Sequence, residues 1–169
     1  MSNRAKVPNK SNKHILVAIT ALVLLSAAII SFIFLSGGSD QNSTDAGQDI
    51  VINKNEISET VKFYSIKSGK QNMEVLAVKA SDGSIRTAFN TCQVCNGSPR
   101  AYYKQEGEVL VCQNCGNEFE MDMIEQQRGG CNPVPILQEN RKDDGTSITI
   151  SSEYIAQNGE LFTANWKTK

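Results

Sequence analysis

The feature that most restricts the fold of this chain is a pair of Cys-x-x-Cys motifs separated by 16 residues. Cys92 and Cys95 form the first motif, and Cys112 and Cys115 form the second. The second part of the intervening sequence, "AYYKQEGEVLV" at residues 101–111, has the pattern of a strand, a turn and a second strand. Such a hairpin returns the chain to its starting point, so we expect four sulfur atoms to lie close together.

Four converging thiolates are typical of a metal site. Two residues between paired cysteines allow both thiolates to bind one ion from a tight turn, and Gly116 tolerates the left-handed backbone of such a turn. Asn96 and Gly97 are suited to the same role after the first motif. The spacing falls in the range of zinc sites, and four thiolates equally suit iron, either as a single ion or as a cluster. The pattern therefore predicts a metal without choosing between the two.

Two other uses of the cysteines stay open. Cysteines outside the cytoplasm often form structural disulfides, although five cysteines leave one sulfur unpaired. Thiol-disulfide exchange is the second alternative, but it usually requires a βαβ setting and a helix amino terminus, and the sequence shows neither. The spacing favours the metal over both alternatives.

The fifth cysteine, Cys131, lies in the rigid stretch "GGCNPVP" at residues 129–135. It is either a small buried apolar residue or a fifth thiolate that replaces or supplements a ligand. Just before it, "EFEMDMIE" alternates, so Phe119, Met121 and Met123 would share one face of a strand. We expect that face to pack in the core, with copper binding by the thioethers as the less favoured alternative.

A second feature concerns the membrane. Residues 15–35 contain no charge and would form a helix about 32 Å long, enough to cross a bilayer. Four of the 17 basic residues precede this run and all 18 acidic residues follow it, which predicts a cytoplasmic amino terminus. We therefore expect a basic cytoplasmic tail at 1–14 and a flexible linker at 36–49. A cleaved signal peptide is the alternative, but the run is long for one.

The rest of the chain, residues 50–169, is predicted to be one mostly β domain on the outer side of the membrane. "TVKFYSIK", "MEVLAVKA" and "IRTAFN" have the composition of strands and are separated by turn signals. Near the end, "SITISSEYIA" and "ELFTANW" flank Asn158-Gly159, which predicts another hairpin. Phe162, Ala164 and Trp166 would then alternate toward the core.

Composition excludes several functions. The only histidine, His14, lies at the edge of the apolar run, so no Ser-His-Asp site, histidine-based zinc site or Cys-x-x-Cys-His haem site is expected. After the apolar run, acidic residues outnumber basic ones by 18 to 13, which argues against a nucleic-acid partner. We predict no catalytic residues and leave an enzymatic role open.

Three stretches, "DGSIRTAFNTCQVC", "VCQNCGNEF" and "GGCNPVPI", resemble the FtrD-like domain of membrane iron-sulfur proteins, over about residues 61–136. The resemblance implies a bacterial membrane protein whose five cysteines occupy the family's cysteine positions. The group's named member belongs to a ferrous-iron uptake system, where it is thought to pass electrons. This chain differs in having one predicted span rather than several, and in having Asn90 where relatives often have Asp.

The sequence thus predicts a single-span bacterial membrane protein whose exposed β-rich domain contains a four-cysteine hairpin of the zinc-ribbon or rubredoxin type. The predicted metal ligands are Cys92, Cys95, Cys112, Cys115 and Cys131. The predicted cofactor is iron or an iron-sulfur cluster, used in electron transfer or metal handling with a membrane iron-transport partner. The alternatives are a structural zinc module of an envelope or transporter complex, and a thiol-disulfide redox protein.

Overall fold

The structure of the protein is a computed structural model, which describes residues 43–45, 47–68 and 70–167. The predicted tail at 1–14 and the predicted membrane helix at 15–35 lie outside the described residues. Among the residues that are described, no helix is long and apolar enough to cross a membrane.

The described chain is mostly β, as predicted, with eleven short strands and one α-helix. The strands are β1 (Ser43–Asp45), β2 (Ile50–Asn53), β3 (Lys62–Ser68), β4 (Gln71–Lys79), β5 (Ile85–Cys92), β6 (Tyr103–Glu106), β7 (Val109–Cys112), β8 (Glu118–Glu120), β9 (Pro133–Pro135), β10 (Lys142–Asp143) and β11 (Ser147–Ile150). The helix is α1 (Ser152–Gln157). Strand β1 lies inside the segment predicted as a linker.

The strands form three sheets. The central sheet has the order β1-β3-β4-β5-β9, and all its pairs are antiparallel except β1 with β3. A second sheet has the order β10-β11-β2, and the third has the order β6-β7-β8. The predicted hairpins β3–β4 and β6–β7 are both present, and the Ser81-Asp82-Gly83-Ser84 turn leads into β5 as expected.

Strand β4 explains why the cysteines have a hydrophobic support. Both of its faces are buried, and successive side chains of a strand point to opposite faces. Met73, Val75 and Ala77 enter a first core, which lies against β2, β11 and α1. Leu76 and Val78 enter a second core, which includes Cys92, Cys112 and the β6–β7 hairpin. The central sheet therefore separates the main hydrophobic core from the cysteine-bearing layer.

The predicted hairpin across Asn158-Gly159 is wrong. Strand β11 ends at Ile150, and the following residues form α1 and a 3₁₀ turn at Gly159–Leu161. The Ser151 side chain caps α1 by accepting a hydrogen bond from the backbone N–H of Tyr154 at 3.2 Å. Strand β11 is already paired with β2 on one side and with β10 on the other, so it has no free edge for a further strand.

The aromatic residues after this turn still reach the core. Phe162 and Trp166 are buried, as expected, whereas Ala164 is exposed because the segment is not a strand. The Phe162 ring meets the rings of Phe89 and Trp166 edge to face, at centroid distances of 6.1 and 4.9 Å. Burial of these rings stabilises the irregular segment in place of strand pairing.

Replacing Ser151 with Ala tests the helix cap. Loss of the side-chain acceptor should lower the free energy of unfolding by about 1 kcal/mol, measured by urea denaturation. Ser152→Ala is the matched control, because Ser152 contributes its backbone N–H to Asp49 rather than a capping side chain. Equal effects of the two substitutions would contradict the capping role of Ser151.

Candidate metal centre

Strand ends position the cysteines. Cys92 is the last residue of β5, Cys112 is the last residue of β7, and Cys131 lies two residues before β9. Pairing fixes these ends against each other, because Cys92 is opposite Pro133 and Cys112 is opposite Tyr103. The Cys92 N–H also donates to the Ala101 carbonyl at 3.1 Å, which ties the end of β5 to the start of the hairpin.

Each Cys-x-x-Cys motif forms a tight turn. The Gly116 N–H donates to the Cys112 carbonyl at 2.8 Å, and the φ of Gly116 is 73°, in the left-handed region expected for it. In the first motif, the Ser98 N–H donates to the Cys95 carbonyl at 2.8 Å, but neither Asn96 nor Gly97 takes a positive φ. This turn closes with ordinary backbone angles, so the predicted left-handed residue there is wrong.

The two turns are also joined by their side chains. The Ser98 hydroxyl donates to the Asn114 side-chain oxygen at 2.7 Å. Asn114 lies between the cysteines of the second motif, and Ser98 follows the first motif by three residues. This contact helps to hold the two motifs at a constant separation.

The structure brings the sulfur atoms of all five cysteines into two overlapping groups of three. Within the first group, Cys92, Cys95 and Cys112, the sulfurs lie within 4.8 Å of one another. Within the second group, Cys95, Cys115 and Cys131, the same limit holds. All five are free thiols. Cys95 belongs to both groups, so the predicted ligands form one continuous cluster rather than two separate sites.

This donor set fits a thiophilic metal. In a tetrahedral site with metal–sulfur bonds near 2.3 Å, ligand sulfurs are about 3.8 Å apart. Sulfurs already within 4.8 Å of one another therefore need only small side-chain movements to reach that separation. Iron and zinc both accept thiolate ligands, so the donor set suits either metal. Cys115 lies in a group with Cys95 and Cys131 rather than with Cys92 and Cys112, so a site made of the two motifs alone needs a larger movement of its side chain.

Burial is uneven across the cluster. Cys92 and Cys112 are buried, Cys95 and Cys131 are partly buried, and Cys115 is exposed. Beside them, Val94 is 65% exposed although it is a large apolar residue. One side of the cluster therefore belongs to the second core, and the other side faces solvent. Cys131 is only partly buried and packs against the second core, with its sulfur beside those of Cys95 and Cys115.

The environment raises the pKa of three thiols, those of Cys95, Cys112 and Cys131, and lowers the pKa of Cys92 and Cys115. Burial raises the pKa of Cys112 to about 12, and the hydrogen bond with the Cys115 thiol raises the pKa of Cys131 to about 12. The backbone N–H of Asn117 lowers the pKa of Cys115 to about 7. For Cys92, burial opposes ionisation, but the nearby Tyr103 hydroxyl and hydrogen bonds from backbone N–H groups prevail and lower its pKa. Metal binding would have to displace the protons from the less acidic thiols.

Gln93, which the sequence analysis missed, attaches the Cys131 segment to the first motif. Its backbone N–H donates to the Asn132 carbonyl at 2.9 Å, and its side chain donates to the Pro133 carbonyl at 3.2 Å. The Gln93 side-chain oxygen accepts a hydrogen bond from the Gly129 N–H at 3.1 Å. Its position inside the first Cys-x-x-Cys motif was the only sequence signal for this role.

The Cys131 carbonyl oxygen is held from a second direction. It accepts hydrogen bonds from the Tyr103 hydroxyl at 2.7 Å and from the Asn117 side chain at 3.2 Å. Tyr103 is buried in the second core, and burial raises the pKa of its hydroxyl, so it stays a neutral donor. Both donors belong to the four-cysteine module, so the module itself positions the fifth cysteine.

A buried ion pair anchors the chain between β8 and β9. Glu125 and Arg141 meet at 2.5 Å, and each side chain is only 5% exposed. Glu125 also accepts a hydrogen bond from the Thr87 N–H on β5 at 2.6 Å, and it takes a left-handed backbone with a φ of 68°. A non-glycine residue in that conformation needs compensating contacts, which the ion pair supplies.

The methionine segment agrees only partly with the prediction. Phe119 and Met121 are buried in the second core, which confirms core packing for both. Met123 is 36% exposed, because residues Met121–Met123 form a 3₁₀ turn rather than continuing β8. Among the described residues, no acidic side chain joins a group of three possible metal ligands.

The lowered pKa of Cys115 predicts selective alkylation of the metal-free chain. Iodoacetamide should modify Cys115 first, with a rate that rises as the pH increases through about 7, because the thiolate is the nucleophile. Cys131 should react only at much higher pH. Mass spectrometry of timed samples measures both, and faster modification of Cys131 at neutral pH would contradict the assignment.

Breaking the buried ion pair should destabilise the domain. Glu125→Gln leaves the Arg141 charge buried without its partner, and the expected loss in the free energy of unfolding is about 3 kcal/mol. Glu56→Gln is the matched control, because Glu56 is 55% exposed in its ion pair with Lys62 and solvent screens an exposed pair, so its loss should be much smaller than that of Glu125→Gln. Similar losses for both would show that burial of the first pair is not important.

Comparison with known proteins identifies one family. A family model described as membrane iron-sulfur containing protein FtrD-like matches residues 57–162, which confirms the resemblance seen in the cysteine motifs. None of the curated proteins compared with the chain matches it. A solved structure, the quaternary ammonium Rieske monooxygenase CntA with an inhibitor, is 14% identical with a TM-score of 0.39. That match covers 63% of this chain and only 32% of the monooxygenase chain, less than two thirds of its length.

Proposed function

Because the chain belongs to the FtrD-like family of membrane iron-sulfur containing proteins, we propose that its cysteine cluster holds iron and passes single electrons at a bacterial membrane. The partner is a membrane component of iron uptake, and the described domain lies on the outer side of that membrane. The convergence of five free thiols from three separate segments is the observation that supports this proposal most directly.

The four cysteines of the two motifs are the primary ligands. Cys92 and Cys112 contribute from the ends of β5 and β7, and Cys95 and Cys115 contribute from the turns that follow. Cys131 is the fifth candidate, since its sulfur lies within 4.8 Å of those of Cys95 and Cys115. Its backbone is held by Tyr103 and Asn117, so it supplements or replaces a ligand from a constant position.

Iron bound by thiolates would supply a one-electron change between two oxidation states. The chain's own residues would control how easily that change occurs. Backbone N–H groups that contact Cys92 and Cys115 partly offset thiolate charge, which favours the more negative, reduced state. Burial of Cys92 and Cys112 excludes water from the inner side of the cysteine cluster. Cys115 and Val94 are exposed, so a redox partner would approach the cluster closely from that side.

Structural zinc is the second candidate, because the same clustered thiols are the ligands that closed structural zinc sites use. A third candidate is thiol-disulfide exchange, which the exposure and lowered pKa of Cys115 favour. The three functions differ in metal content and colour, so one preparation distinguishes them.

The direct experiment is elemental analysis and absorption spectroscopy of the full chain purified without oxygen. Bound iron with visible absorption that bleaches on reduction is the expected result. A colourless, redox-silent protein containing zinc would support the structural module instead. Metal-free protein with Cys92–Cys95 and Cys112–Cys115 disulfides would contradict metal binding and support exchange chemistry.

Cys112→Ser tests the ligand set and should abolish metal loading. Ala88→Ser is the matched control, because Ala88 is fully buried in the same second core and the substitution also introduces a buried hydroxyl. The control should retain metal. Full metal occupancy in Cys112→Ser would count against the proposed ligands.

A further inference from the structure

A buried carboxylate, that of Glu74, lies on the central sheet beside three aromatic rings. The Glu74 side chain is only 5% exposed, although it stands on β4 in the middle of the sheet. It accepts hydrogen bonds from the Asn90 side chain at 2.7 Å and from the Ser65 hydroxyl at 3.2 Å. Both donors are neutral, so neither balances the carboxylate charge.

The balancing charge comes from Lys167. Its ammonium group contacts both Glu74 carboxylate oxygens at 2.8 Å. The same ammonium lies 5.5 Å from each of three ring centroids, those of Phe63, Tyr102 and Trp166. These distances fall within the range of cation–π attraction. We call Glu74 and the three rings the ammonium cage.

The ammonium cage is formed by parts of the chain that are distant in sequence. Phe63 and Glu74 come from neighbouring strands β3 and β4, and Tyr102 comes from the start of the four-cysteine hairpin. Tyr102 and Trp166 also meet edge to face at 6.0 Å. An open cavity of about 320 Å³ is bordered by Glu74, Trp166 and Lys167, so it reaches the carboxylate and one of the three rings.

Lys167 has the properties of a displaceable occupant. Its side chain is 37% exposed, whereas Glu74 is almost fully enclosed. Its backbone N–H donates to the Pro99 carbonyl at 2.8 Å with a φ of 55°, so the backbone is held and displacement requires only that the flexible side chain swing out. Its departure would leave a buried carboxylate facing three ring surfaces without a cation, which is an unfavourable state.

We propose that the ammonium cage is a binding site for a small primary alkylammonium ligand, and that Lys167 is the chain's own occupant, which such a ligand displaces. The carboxylate supplies the charge and hydrogen bonds for a primary ammonium, and the rings supply attraction to the cation and its alkyl chain. This site does not depend on the metal centre or on its proposed function.

The chain has one tryptophan, Trp166, and it forms a wall of the cage, so its fluorescence reports occupancy directly. The probe is n-butylammonium, which matches the lysine side chain, and n-butanol is the neutral control. Lys167→Gly opens the cage and suits the left-handed backbone. It should bind n-butylammonium at least tenfold more tightly than the wild-type chain and show no saturable response to n-butanol.

Two further variants define the site. Adding Glu74→Gln to Lys167→Gly should weaken n-butylammonium binding at least tenfold. Lys79→Ala removes an exposed lysine outside the cage and should behave as wild type. A folded Lys167→Gly chain that does not distinguish n-butylammonium from n-butanol would overturn the proposal. If that variant does not fold, the wild-type chain decides, and a tryptophan response to excess n-butylammonium that does not saturate would overturn the proposal.

Discussion

Backbone pairing at three strand ends is the constraint on which the candidate metal centre depends. Cys92 lies opposite Pro133, and Cys112 lies opposite Tyr103, so the register of β5 with β9 and of β6 with β7 places the thiols. A slip of one residue in β5 would move Cys92 from the second core to the opposite face of the sheet. Such a slip is opposed because the central sheet, including β4, packs a hydrophobic core against each of its two faces, and a slipped strand would exchange the side chains that enter the two cores.

The same arrangement brings the five thiols close together. The groups that shift the pKa values of these thiols most do not include a cationic side chain. In the metal-free state, protons neutralise the less acidic thiols, while Cys115 ionises most easily at the exposed edge. A metal ion would provide the missing positive charge for all of them. By contrast, the two buried carboxylates of Glu125 and Glu74 have cationic partners within the chain, Arg141 and Lys167.

Local patterns predicted the parts of the fold that depend on local chemistry. Strand composition and turn residues indicated β3, β4, β5 and the β6–β7 hairpin, and motif spacing indicated the cysteines that the structure brings together. The hairpin predicted at Asn158-Gly159 does not form, because the Ser151 cap of α1 and the burial of Trp166 outweigh the preference of Asn-Gly for a hairpin turn. The roles of Gln93, Tyr103 and Glu125 depend on contacts between distant segments, which carry no periodic signal in one sequence.

The central claim is that cysteine thiolates are the ligands by which the chain holds an iron centre. X-ray absorption at the iron edge, on the full chain purified without oxygen, tests it most directly. The account predicts a first coordination shell of sulfur only, with iron–sulfur distances of about 2.3 Å. A first shell that contains nitrogen or oxygen in place of the cysteine sulfurs would contradict it.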